Sequence, residues 1–151
     1  MTDTASPARG VGEIRDIIVP LNFAGALTVG VKTTPGSIFV VPFNLAVLAA
    51  YLNVGTAPTG AALIVNIQRT PISGAGAAQL WTTAGNRPTV AISATTNVAT
   101  SGSAGSLVGA APAGPDTSQC VRGDVLAINV IQVGSTVAGS DLSVTLHCER
   151  Y

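Results

Sequence analysis

Apolar and polar positions alternate with a period of two along much of this chain. Within residues 61–69, Leu63, Val65 and Ile67 fall on one face and Asn66 and Gln68 on the other, with Ile64 the single apolar intruder. Such a period marks a strand with one buried face. Near the end, Leu142, Val144, Leu146 and Cys148 alternate with Ser143, Thr145, His147 and Glu149. Residues 125–133 are apolar on both faces apart from Asn129 and Gln132, the pattern of a strand central in its sheet. Shorter β-like runs cover 14–23, the alternating Leu27, Val29 and Val31, 37–42, 79–82 and 89–93. Residues 44–52 contain good helix formers, but Pro42 and Gly55 leave little room for helical turns. A strand is predicted there, with Leu45, Val47, Ala49 and Tyr51 on one face.

Turn signals separate these runs. Pro58 presets its own φ and Gly60 can take φ > 0, so Pro58-Thr59-Gly60 reads as a tight turn, as does Thr34-Pro35-Gly36. Pro20 suits an edge strand or a bulge. Residues 95–116, rich in Ser, Gly, Ala and Pro, read as irregular loop. Short strands, Gly/Pro/Asn turns and no long helix predict an all-β fold, an antiparallel β-sandwich of jelly-roll type. The sandwich is expected over 13–151 as one domain, preceded by a flexible N-terminal arm over 1–12. Arg9, Val11 and Ile14 are the residues expected to hold that arm against a partner.

Charge changes the picture more than hydrophobicity does. The chain has 151 residues, is 47% hydrophobic and only 9% charged, with a net charge of zero. Ordinary soluble domains carry about 25% charged residues. With so few ions the surface is either neutral and polar or covered by neighbouring subunits, and covering is the expectation, since apolar skin invites association. The neutral balance gives no footprint for nucleic acid or an anionic membrane surface. No segment reaches the roughly 18 to 20 apolar residues of a membrane helix, and the N-terminus lacks the basic start and apolar run of a secretory signal. Synthesis and assembly in a cytoplasm is the expected setting.

Candidate chemistry is sparse. His147, the sole histidine, is placed by alternation on the outward face of its strand, where a solvated or interface role is expected over general-base work. Asp116, Asp124 and Asp141 stand beside Pro, Gly or Ser at strand ends, where Asp closes turns. No dense Asp/Asn/Gly loop suggests a cation, and Gly74-Ala75-Gly76 opens no helix of a dinucleotide fold. No catalytic residue, cofactor or metal is expected. Cys120 and Cys148 lack metal-ligand spacing. A simple hairpin through 134–140 would set them roughly 20 Å apart at ~3.3 Å per residue, so both are expected to be reduced, although a crossover between sheets would undo that separation. Trp81 is expected as a core or interface anchor, a candidate for contact with a neighbouring subunit.

Three segments carry a resemblance: residues 51–67 (YLNVGTAPTGAALIVNI), residues 86–92 (NRPTVAI), and residues 123–146 with their GD, QVGST and GSDL elements. Together they resemble a β-sandwich module recurrent in virion proteins of tailed bacteriophages, found in head decoration, minor capsid and some tail or fibre proteins. Asn66 departs from the pattern, standing where an Asp is expected, and residues 70–80 replace a short Gly-centred hairpin. The resemblance implies a non-enzymatic virion protein on the capsid surface. In its leading form this is a decoration protein, a homotrimer bound outside the lattice of the major capsid protein. The alternative is a tail or fibre module that binds cell-surface glycan through its long loops.

Overall fold

The computed structural model describes residues 15–97 and 113–151. The expected arm, with Arg9, Val11 and Ile14, lies outside the described residues, as does the middle of the 95–116 loop. The strands are β1 (Asp16–Ala26), β2 (Gly30–Val31), β3 (Ile38–Val40), β4 (Leu45–Thr56), β5 (Leu63–Thr70), β6 (Ala78–Gln79), β7 (Thr89–Val90), β8 (Gln119–Cys120), β9 (Val125–Gln132) and β10 (Ser140–Arg150). A single 3-10 turn over Ala84–Asn86 is the one helical element among the described residues.

All pairings are antiparallel. One sheet runs β1-β10-β4-β8. The other has β9 and β5 at its centre, β2 and β3 sharing the outer edge of β9, and β6 and β7 sharing that of β5. With each sharing pair counted as one interrupted strand, eight strands are ordered 1-8-3-6 and 2-7-4-5. That order is a jelly roll, and the sandwich expected from alternation is the one observed.

The core is where the two inner faces meet. Val19, Leu21, Leu52, Val54, Leu142, Val144 and Leu146 of the first sheet face Leu63, Val65, Ile67, Leu126, Ile128 and Val130 of the second, all at most 2% exposed. Burying a side chain of this size stabilises the fold by about 1.5–3 kcal/mol, before the entropy of ordering it is set against that. Strand edges are also managed. Pro20 lies in β1, the outer strand of its sheet, as its missing N–H requires. The second edge of β4 is closed by Asn97, whose Oδ1 accepts the Leu52 N–H (2.7 Å) while its Nδ2 donates to the Ala50 carbonyl (2.8 Å).

Three expectations are corrected. First, β9 and β10 form no hairpin: the link crosses from one sheet to the other, and β10 lies between β1 and β4. Cys120 and Cys148 therefore flank the same strand, opposite Leu45 and Val47 of β4, rather than standing far apart. Second, residues 45–51 do not keep one face. The register slips between His147 and Cys148, leaving Leu48 unpaired as a β-bulge, so Leu45 and Val47 point inward before it and Ala50, Leu52 and Val54 after it. Tyr51 consequently faces outward. Third, Leu27 and Val29 belong to a loop and share no face, Leu27 being buried and Val29 63% exposed. β8, two residues long, shows no period in the sequence and is found only in the structure.

Candidate functional site

The two most specific segments of the sequence meet at one end of the sandwich. Pro58-Thr59-Gly60 is not a simple hairpin turn, because β4 and β5 belong to different sheets and the loop passes between them. Thr59 pairs instead with the β9–β10 loop: its N–H donates to the Val137 carbonyl (3.0 Å) and its carbonyl accepts the Thr136 N–H (3.0 Å). Two glycines make this approach possible. A Cβ on Gly134 would lie 1.9 Å from the Val137 carbonyl oxygen and 2.8 Å from the Thr59 backbone. Gly60 combines φ +80 with a close approach to Ser135 and Thr136. Neighbouring loops join the brace, with the Ser93 N–H on the Pro58 carbonyl (2.8 Å) and the Leu27 N–H on the Gly139 carbonyl (3.0 Å).

Trp81 is fully buried and presents no surface for a capsid or subunit contact; it is a core anchor. Its indole N–H donates to the Ala113 carbonyl (2.9 Å). The backbone of Trp81 passes the edge of β5 between the pairings with β6 and β7 and is held there by Asn66.

The three aspartates close loops, as their positions suggested. Asp116 accepts the Thr83 N–H (2.8 Å) and hydroxyl (3.0 Å), and these bonds hold its carboxyl below the usual range. Asp141, at φ +55, accepts the Gly25 N–H (2.8 Å) at the irregularity between β1 and β10, and this bond likewise lowers its pKa. Asp124 is buried and ties three segments together. It takes the Arg69 guanidinium (2.6 Å), the Val121 N–H (2.9 Å) and the Ile72 N–H (3.1 Å). Burial alone would raise its pKa, but the two amides and Arg69 outweigh it and the net shift is downward. These carboxylates sit at separate places, Asp141 within β10, and no group of His, Cys, Asp and Glu that could hold a metal occurs among the described residues.

His147 lies on the outer face of its sheet, 3.2 Å from the exposed Asp16 carboxylate. Both cysteines are free and buried. Burial pushes the Cys120 thiol up to about 11 and the Cys148 thiol to about 12, values that keep them protonated and poor nucleophiles. A hollow of about 210 Å³ lies beside Asn86, Arg87 and Asn97, and among the described residues no acid–base pair lines it. Asn66, Asn97, Asp116, Asp124 and Asp141 each hold a loop or a strand edge.

The surface is where the chain is unusual. Ile18, Val29, Val40, Ile72 and Ile92 are each more than half exposed, and Leu48, Tyr51, Val121 and Val137 are over a third exposed. No described helix is long and apolar enough to cross a membrane. No protein-family model, no curated protein and no solved structure matches the chain.

Proposed function

We propose that this chain is a non-enzymatic virion structural protein of a tailed bacteriophage, a capsid decoration protein bound as a homotrimer to the outside of the major capsid lattice. The observation that carries the reading is a pairing of inert interior with sticky exterior. Asp116, Asp124, Asp141, Asn66 and Asn97 are all engaged in holding loops and edges, while large aliphatic side chains stand in solvent on a chain with 9% charged residues. Such a surface suits a subunit whose resting state is bound to neighbours. The jelly roll agrees with this use, since capsid subunits are among the proteins built on it, although a fold alone assigns no function.

Stabilisation of the shell follows from mass action. A protein that binds the assembled lattice and not its dissociated subunits lowers the free energy of the assembled state alone. At a free concentration 100 times the dissociation constant each site contributes about 2.7 kcal/mol. Sedimentation of the purified chain with empty phage heads tests the proposal. Saturable binding to heads, with heads that then resist heat or chelators better, is expected. Binding to host cells with none to heads would transfer the chain to the tail or fibre class.

A further inference from the structure

We propose that the hollow beside Arg87 binds an acidic sugar, a single ring that carries one carboxylate and presents it to the guanidinium. The site stands apart from the decoration reading and does not depend on it. Its volume is about 210 Å³, below the roughly 300–1,000 Å³ of pockets for drug-sized ligands, so it takes one ring rather than a chain of them. Gly85, Asn86 and Thr89 on its wall are exposed and Arg87 is half-buried, so a ligand reaches the guanidinium from solvent.

Arg87 is the one ionised side chain on the wall. Its Nε donates to the Trp81 carbonyl (3.4 Å), and its two Nη groups make no bond to the described residues. Among the described residues no carboxylate pairs with it. Asp116, a few residues after Ala113, spends its two oxygens on the Thr83 N–H and hydroxyl and does not line the hollow. A guanidinium anchored at one nitrogen keeps a planar fork of N–H donors, and a carboxylate matches that fork with two parallel bonds.

The rest of the wall suits hydroxyl groups. The Asn86 carboxamide has no partner among the described residues. The Thr89 hydroxyl donates to the Arg87 carbonyl (2.9 Å) and keeps its lone pairs for a donor. Asn97 keeps one Nδ2 hydrogen after its bonds to Leu52 and Ala50. No aromatic ring lines the hollow, so nothing there selects a flat apolar ligand. The wall is also set before binding. The Asn86 and Arg87 N–H groups donate to Thr83 and Ala84 (3.1 and 3.3 Å), and the Trp81 indole holds the Ala113 carbonyl (2.9 Å), so binding orders little backbone.

A nitrogen-15 NMR titration of the full chain tests the site. Glucuronate and galacturonate are added to about 20 mM, a range that captures millimolar affinity, at about 150 mM salt to screen loose charge contacts. Glucose, acetate and a glutamate-rich peptide serve as comparisons. At least one uronate is expected to shift the Arg87 side chain and the 85–89 amides saturably, with glucose and acetate at least about tenfold weaker. Arg87→Gln and Asn86→Ala, checked for folding by circular dichroism, should each weaken the uronate; the loss is at least about tenfold for Arg87→Gln. Asn86→Ala removes a side chain that bonds nothing described, so it keeps the test open if Arg87→Gln unfolds. No saturable shift, or shifts by glucose equal to those by the uronates, overturns the proposal. Acetate as strong as the uronates reduces the site to a bare anion contact, and a peptide that binds where the uronates do not assigns it to a protein carboxylate; either result also overturns it.

Discussion

The side-chain amide of Asn66 bonds both polar groups of the Trp81 backbone: Nδ2 donates to the carbonyl (2.7 Å) and Oδ1 accepts the N–H (3.1 Å). It stands in for a stretch of strand, closing the edge of β5 where β6 has ended and β7 has not begun. The site is fully buried, and Oδ1 also accepts the Ile67 N–H (2.9 Å).

An aspartate at this position could only accept when ionised, facing the Trp81 carbonyl with no proton to offer. Asn66→Asp is therefore expected to cost about 3 kcal/mol at neutral pH, from an unmatched carbonyl and a buried charge. Burial and the need to donate raise the carboxyl's folded-state pKa above its unfolded value. The penalty is thus absent at acid pH, where both states are protonated, and grows as pH rises past the unfolded value. Urea unfolding at pH 4 and pH 7 reads it out. A difference from wild type equal at both pH values would contradict the donor requirement.

Gly134 is expected to be the least replaceable glycine. Gly134→Ala drives a methyl group into the Val137 carbonyl and the Thr59 backbone, neither of which can swing aside as a side-chain tip would. A loss of about 3 kcal/mol or more, or failure to accumulate folded protein, is expected. Gly76→Ala, with nothing within 4 Å of the added methyl and no positive φ, should stay within about 0.5 kcal/mol of wild type. Thermal melts of the pair decide whether the brace between the two loops carries this weight.

Alternation made the sandwich legible, because β5 and β10 are long enough to show a period of two, while β9 is readable as a central strand from its apolar residues on both faces. What stayed hidden was set by pairing rather than by composition. A single unpaired Leu48 reverses the inward face of β4, and local pattern holds no record of the partner strand that causes the slip. Likewise Gly-Ser-Thr-Val-Ala-Gly reads as a hairpin link, yet whether such a link joins neighbours or crosses the sandwich depends on where β1 and β4 wait for β10. The loop-closing roles of Asp116, Asp124 and Asp141 were readable from their neighbours. Asn66 was marked only as a departure, since its partner Trp81 is fifteen residues away on a backbone with no signature of its own.

Acid should weaken the fold through the aspartates. Asp116, Asp124 and Asp141 all have folded-state pKa values below the ordinary value of 3.8. A depressed carboxyl contributes stability that is complete above its unfolded value and disappears as pH falls through the folded one. The melting temperature is therefore expected to hold steady from neutral pH to about 5 and to drop below about 4. Asp124→Asn should lower it at neutral pH, because Arg69 loses its buried counter-charge, and should flatten the acid drop. A variant that melts in parallel with wild type from pH 7 to pH 2 would show that Asp124 contributes nothing to the acid response.

The two thiols should be silent until the protein opens. Cys120 and Cys148 are fully buried, with pKa values pushed up to about 11 and about 12, so neither access nor ionisation favours attack at pH 8. A thiol reagent such as dithionitrobenzoate should release no colour from the native protein over minutes and two equivalents in denaturant. Reaction of the native chain would then proceed only through opening, at a rate set by the population of open forms when reclosing is fast. Destabilising substitutions such as Asn66→Asp at neutral pH should speed both thiols together, because Cys120 and Cys148 flank the same strand and lose their cover in one event. Prompt modification of one thiol in the intact wild type would instead reveal a local path into the core at β8 or at the end of β10.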